Sequence, residues 1–236
     1  MIRKLLIANR GEIAIRIART AADMGIETLA VAPVDDTGNP HLRHATEQVQ
    51  LPGHGPAAYL DSDALIAAAR DHGCDAVHPG YGFLSESPAF AHVCAEAGLQ
   101  FVGPAPTALE ALGNKMSARD KAQSLGIPVV AARSPLRDAT DLQAFLAECG
   151  APVMVKSASG GGGRGMRVLR DASDAPAIFT QCENEAIAAS GDGALFAERH
   201  LPDIRHIEVQ LIGDGRQVRH LWDRDCSLQR RHQKIL

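Results

Sequence analysis

The sequence predicts an α/β protein: a doubly wound unit around a parallel sheet, followed by a second unit built mainly from antiparallel strands. Three observations carry this. As far as about residue 103, short apolar runs alternate with amphipathic helical stretches, the pattern of βαβ units. From about Pro128 the runs are joined across glycine-rich turns, as in hairpins. Between them lies a helical connector, GPAPTALEALGNKMSARDKAQSLGIP. The boundary falls within it, dividing domain 1–113 from domain 114–236.

The elements follow in order. Lys4–Ala8 reads as a buried strand and Asn9–Glu12 as a turn. The next helix carries Ile13, Ile17, Ala21 and Met24 on one face. Thr28–Ala32 is a strand, and the segment from Pro33 to Pro56, rich in Pro and Gly, loops out. Asp61–Asp71 is a helix capped by Asp61 or Ser62, Ala76–His78 ends a strand, Pro88–Ala97 is helical and Gln100–Val102 is a strand. In such a Rossmann-like unit ligands gather at the carboxyl ends of strands, where NRGE and HPGYGFLSE both fall. The second unit reads as a helix over Ala139–Cys149, a hairpin of Val153–Lys156 and Gly165–Leu169, a helix over Asp174–Ser190, a strand over Leu195–Glu198, and a hairpin of Arg205–Ile212 with Gln217–Trp222. In the latter, Ile207, Val209 and Leu211 face one way and His206, Glu208 and Gln210 the other.

Bulk properties exclude several classes. Against 24 Lys+Arg stand 28 Asp+Glu, a net charge of −4, and aromatics make up only 4%. There is neither a basic field for nucleic acid nor a supply of base-stacking rings. Cys74, Cys94, Cys149, Cys182 and Cys226 form no CxxC pair, which fits a reducing compartment and neither a zinc site nor a disulfide frame. The apolar stretch of MIRKLLIANRGE is too short for a signal peptide or membrane span. The expectation is a cytoplasmic protein with no nucleic-acid or membrane partner.

The segment Val153–Met166, VMVKSASGGGGRGM, is the strongest pointer to chemistry. An apolar run ends in Lys156, and consecutive glycines follow with Arg164 among them. Glycine allows successive backbone amides to crowd around an anion, and the cations at either end suit a polyphosphate. The competing reading is a flexible surface turn.

Four strings closely resemble biotin carboxylase, the ATP-grasp component of biotin-dependent carboxylases: IANRGEIA at 7–14, HPGYGFLSE at 78–86, GGGGRGMR at 160–167 and RDCSLQRRHQK at 224–234. The resemblance covers essentially the whole chain. It implies a pre-ATP-grasp α/β domain followed by an incomplete ATP-grasp domain, about half of a full biotin carboxylase. It also implies the reaction: ATP phosphorylates bicarbonate to carboxyphosphate, which releases carbon dioxide to carboxylate biotin on a carrier protein. RDCSLQRRHQK argues against the related carbamoyl-phosphate synthetases.

The same resemblance implies the site. Lys115, in GNKMSA where the family usually has GDK, and Lys156 reach the nucleotide, and Gly162 and Gly163 close over its phosphates. Glu198 takes the exocyclic amine of adenine, with Arg199, His200 and Leu201 lining the base. Without the resemblance Glu198 is an unremarkable strand-end glutamate. His206 is a ribose or phosphate neighbour, or one residue of an exposed sheet face. Gln229 and His232 touch the nucleotide and Lys234 holds bicarbonate, within a cluster of Arg230, Arg231, His232 and Lys234 that suits an anion funnel. Cys226 is either a reactive neighbour of Lys234 or a packed cysteine. HPGYGFLSE is left as a turn with Ser85 or Ser87 capping the next helix. Arg16, Arg19 and Asp23 lie on the first helix, either at a dimer contact or simply exposed.

The cofactors so implied are ATP, bicarbonate, carrier-bound biotin and Mg²⁺, whose ligands are expected beyond position 236. The expected partners are a biotin carboxyl carrier, a carboxyltransferase and a second copy in the full-length enzyme. The segments APVDDTGNP and LPGHGPAAYLD depart from the commonest bacterial pattern toward acyl-CoA carboxylases such as acetyl-CoA carboxylase, hence a role in fatty acid biosynthesis. The chain by itself is expected to be inactive, and a non-catalytic nucleotide- or subunit-binding piece is the alternative.

Overall fold

In the computed structural model, residues 1–158, 166–230 and 233–234 are described. Contacts divide the chain into two units, Met1–Gly113 and Asn114–Leu236.

The first unit runs β1 (Lys4–Ile7), α1 (Gly11–Asp23), β2 (Glu27–Pro33), β3 (Glu47–Leu51), α2 (Gly55–Ala58), α3 (Ser62–Asp71), β4 (Ala76–His78), α4 (Pro88–Glu96), β5 (Gln100–Phe101) and α5 (Pro106–Gly113). The sheet is parallel, in the order β3-β2-β1-β4-β5. Its order reverses between β1 and β4, the signature of a doubly wound sheet. The central strands are buried on both faces, as parallel strands between helices must be. Leu6, Ala8, Leu29 and Val31 pack with Tyr59, Leu65 and Phe90. Leu5, Ile7 and Ala76 pack with Ala14, Ile17 and Ala18 of α1 on the other side.

Two sequence expectations change here, and one alternative is settled. The segment 33–56 contains β3, paired in register with β2 from Leu29↔Glu47 to Pro33↔Leu51. EQVQL is an edge strand that buries only Leu51 fully, so its apolar signal is weak. On α1 the buried face is Ala14, Ile17, Ala18 and Ala21. Met24 lies past the helix end and is 68% exposed, because Gly25, at φ +71°, turns the chain away. The caps are settled: Asp61 Oδ1 accepts from the Ala64 amide at 3.0 Å and Ser87 Oγ from the Phe90 amide at 3.2 Å, each contact of a kind worth about 1 kcal/mol.

The second unit runs α6 (Lys115–Ser124), β6 (Ala132–Leu136), α7 (Ala139–Cys149), β7 (Val153–Ser157), β8 (Arg167–Leu169), α8 (Ala175–Ser190), β9 (Leu195–Arg199), β10 (Ile207–Gly213), β11 (Val218–Asp225), β12 (Gln229–Arg230) and β13 (Gln233–Lys234). β6, β9, β7 and β8 form an antiparallel sheet in that order. Val153, Val155, Leu195 and Ala197 turn inward onto Leu142, Phe145, Cys182 and Ala186 of α7 and α8. The edge strand β6, ARSPL, was not anticipated, because Arg133 and Pro135 mask its pattern. In the β10–β11 hairpin a register shift between Val209 and Leu211 interrupts the expected alternation. Ile207, Val209 and Leu211 are all exposed. Among the described residues, no helix is long and apolar enough to cross a membrane.

Candidate functional site

Strand β7 places its residues by simple alternation. Val153 and Val155 enter the core, so Met154 and Lys156 point to the opposite face. β9 runs antiparallel beside it with Met154 opposite Glu198 and Lys156 opposite Phe196. Lys156 and Glu198 are therefore diagonal neighbours on one face. Their side chains form an ion pair, ammonium to carboxylate. β7 leads into the glycine segment 159–165 and β8 returns from it. Gly162 and Gly163, like His232, lie outside the described residues.

Beyond Glu198, β9 stays bonded on both sides. The Arg199 amide donates to the Ala131 carbonyl and the His200 amide to the Pro152 carbonyl, both at 2.8 Å. Those two N–H groups are committed to the sheet, so a base lying here meets Arg199 and His200 through carbonyls or side chains. Leu201 follows, 42% exposed.

Lys115 opens α6 at an exposed position. The Asn114 side chain caps that helix, its Oδ1 accepting from the amides of Met116 at 2.8 Å and Ser117 at 3.2 Å. Asn and Asp serve equally as N-caps, so asparagine in GNK keeps the turn that presents Lys115 while removing a negative charge.

The segment carrying His206, Gln229 and Lys234 is held by a brace that sequence reasoning missed. Asp225 accepts from the Ser227 hydroxyl at 2.6 Å and the Ser227 amide at 3.0 Å, and pairs with Arg205 at 2.7 Å. These donors, Ser227 first, pull the Asp225 carboxyl down to about 2. The Asp-x-Ser spacing, a local side-chain turn, was the available signal. The Ser227 Oγ accepts from the His206 amide at 2.8 Å, and the His206 carbonyl accepts from the Cys226 amide at 2.7 Å. The Gln229 side chain donates to the Cys226 carbonyl at 3.2 Å. On the short β12–β13 ladder Gln229 stands directly opposite Lys234. Cys226 itself is fully buried, the packed arrangement of the two that its sequence allowed.

In the first unit NRGE and HPGYG meet at the carboxyl ends of β1 and β4. Asn9, buried to 3% exposure, donates from Nδ2 to the carbonyls of Pro79 at 2.7 Å and Tyr81 at 2.8 Å. Its Oδ1 accepts from the Arg10 amide at 2.8 Å. Arg10 pairs with Asp36 at 3.2 Å and lies over the rings of Tyr59 and Phe83. Burial would raise the Asp36 carboxyl, but hydrogen bonds from Asn39, Tyr59 and Arg10 outweigh it and hold the group below its ordinary value. Asn9 thus bridges the place where a doubly wound sheet usually receives a ligand. No trio of His, Cys, Asp or Glu among the described residues is grouped to hold a metal ion.

Two family models match parts of the chain. Residues 1–109 match the family described as biotin carboxylase, N-terminal domain, and residues 114–236 match carbamoyl-phosphate synthase L chain, ATP binding domain. The chain belongs to the biotin carboxylase family. As a member, it is 45% identical to the mitochondrial pyruvate carboxylase of Rattus norvegicus, with 100% of this chain and 20% of that protein covered. It is 43% identical to the biotin carboxylase of Halalkalibacterium halodurans, covering 100% of this chain and 53% of the relative. Among solved structures, the biotin carboxylase domain dimer of Hydrogenobacter thermophilus 2-oxoglutarate carboxylase, in complex with MgADP, ADP and bicarbonate, is similar with a TM-score of 0.95 at 37% identity. There, 100% of this chain and 52% of that one are covered. The chain thus spans about half of the biotin carboxylase and a fifth of the pyruvate carboxylase it matches.

Proposed function

We propose that this chain supplies the nucleotide-holding part of an enzyme that uses ATP to activate bicarbonate and carboxylate biotin on a carrier protein. A bicarbonate oxygen attacks the γ-phosphorus, the bond to the β–γ bridging oxygen breaks, and ADP leaves. The resulting carboxyphosphate splits into phosphate and carbon dioxide, which the biotin ureido nitrogen takes up as it loses its proton. Lys115 and Lys156, with the amides of Gly162 and Gly163, hold the phosphates. Glu198, Arg199, His200 and Leu201 border the base, and His206, Gln229 and His232 border the rest of the nucleotide. Lys234 holds bicarbonate. Two anions must be brought together, and fixed positive charge offsets their repulsion.

One observation carries this reading: the second unit sets the Lys156 ammonium at the end of the strand that enters the glycine segment, in a fold shared with a domain whose structure holds MgADP and bicarbonate. The test is bicarbonate-dependent ATP hydrolysis by the full-length enzyme, with carboxybiotin as product. Wild type is expected to turn over and Lys156→Met to lose nucleotide affinity at least tenfold. Absence of bicarbonate dependence in wild type refutes the proposal. The 236 residues alone are expected to give no turnover in the same assay.

We assign the acceptor to the acyl-CoA class, on the sequence of segments 32–40 and 51–61. The side chains there serve the framework: Asp35 accepts from the Gly55 amide at 2.9 and 3.0 Å, and Asp36 binds Asn39 and Tyr59. The support is therefore the sequence pattern alone. Carboxylation of acetyl-CoA, a longer acyl-CoA, pyruvate and 2-oxoglutarate, compared side by side in the full-length enzyme, decides it. A homodimer, a carboxyltransferase partner and a cytoplasmic location complete the proposal.

A further inference from the structure

The family resemblance points the Glu198 carboxylate at the amine of the base. In the structure that carboxylate is engaged with Lys156. The two are diagonal neighbours on β7 and β9, with side chains only 22% and 29% exposed. Phe196 stands directly across from Lys156 on β9, two positions before Glu198, and is 3% exposed. A free lysine head samples many rotamers, and ordering it for a ligand costs binding energy. A partner that orders it beforehand removes that cost. The ammonium has three N–H donors, so one can stay on Glu198 while the others turn to phosphate oxygens.

We infer that Glu198 is a positioning residue: its carboxylate holds the Lys156 ammonium ready at the end of β7 for a nucleotide polyphosphate. This rests on the reading of Lys156 as a phosphate ligand. It differs from a base-reading role in a measurable way. A carboxylate that acts through Lys156 is indifferent to the base, whereas one that accepts from the exocyclic amine is not.

The experiment is calorimetric titration of the full-length enzyme, without bicarbonate, using ATP and inosine triphosphate, which lacks that amine. Glu198→Ala is expected to weaken inosine triphosphate binding about tenfold, the size of one immobilised side chain. Glu198→Gln, which keeps an oxygen acceptor for the lysine, is expected to recover part of the loss. In a Lys156→Met background, Glu198→Ala is expected to weaken inosine triphosphate binding no further. Should Glu198→Ala fail to fold, Glu198→Gln carries the same cycle. Unchanged inosine triphosphate affinity in Glu198→Ala, or multiplicative losses in the double variant, overturns the inference. If Lys156→Met alone leaves ATP binding intact, the phosphate reading itself fails, a result distinct from the other two.

Discussion

Gly80 stands so close to Asn9 that a Cβ at position 80 would lie 2.7 Å from the Asn9 Nδ2. Gly80 also has φ +65°, a conformation that costs a side-chain-bearing residue about 1–2 kcal/mol. Asn9 cannot yield, because its amide already holds the carbonyls of Pro79 and Tyr81. Gly80→Ala is therefore expected to destabilise the first unit by about 2–4 kcal/mol. Asn9→Ala, which strands two carbonyls, is expected to cost about 1–3 kcal/mol. Urea midpoints measure both, and a wild-type midpoint for either variant contradicts the bridge.

Asn114 tests whether the altered GNK string changes stability or charge. Asn114→Ala removes the acceptor for the Met116 and Ser117 amides and is expected to cost about 1 kcal/mol. Asn114→Asp keeps the acceptor and adds a favourable charge at the helix start, worth about 0.3–1 kcal/mol. Its thermal midpoint is expected at or above wild type; a fall as large as that of alanine would show that the cap is not what Asn114 provides.

Acid is expected to destabilise the first unit through two histidines. Burial lowers His41, outweighing its hydrogen bond to the Val31 carbonyl, and burial lowers His78. His41 Nε2 lies 3.1 Å from the Val31 carbonyl, and Nδ1 is buried with no partner among the described residues. The charged groups facing it are Asp36, which favours protonation, and Arg10, which opposes it. The His78 Nδ1 accepts from the Gly80 amide at 3.1 Å, so protonation there breaks a bond. Because the unfolded chain binds protons at the ordinary histidine value of 6.5 and the folded chain only below it, stability is complete above that pH and falls as pH drops through it. The slope approaches about 1.4 kcal/mol per pH unit for each histidine. Chemical denaturation between pH 5 and 7 (about the histidine range) reads this directly. His41→Gln, which can keep a donor to Val31, is expected to flatten the curve; an unaltered slope rules His41 out.

Leu142 lies wholly buried beneath Val153 and Val155, the inward residues of the strand that carries Lys156. Leu142→Ala is expected to cost about 3 kcal/mol, the transfer loss plus a cavity. Loss below about 1 kcal/mol would mean that α7 collapses onto the sheet to fill the space. Denaturant titration followed by the far-ultraviolet helical signal separates the two outcomes.

Much of the scaffold was legible in local pattern. Helix α7 has the bounds Ala139–Cys149 expected from the sequence, because Asp138 caps its start, accepting from the Asp141 amide at 2.7 Å, and Gly150 at φ +56° ends it. The strand at 76–78 was equally plain, being apolar and bounded by turn residues. The edge strands β3 and β6 were not legible, since an edge strand buries little and need not alternate cleanly. The Asp225–Ser227–Arg205 brace was missed because its residues look like ordinary surface polarity until their bonds are known.

Residue by residue, the sequence determined the alternation that turns Val153 and Val155 inward and leaves Lys156 on the opposite face, and it placed a glycine segment after that strand. It did not determine which side chain Lys156 would meet. That partner lies 42 positions away on β9. It arrives because β9 inserts between β6 and β7 while β8 takes the outer edge. Side-chain alternation is set by the geometry of a single strand, but strand order and register follow from how two helices and a four-stranded sheet share one core, and only the folded chain decides that.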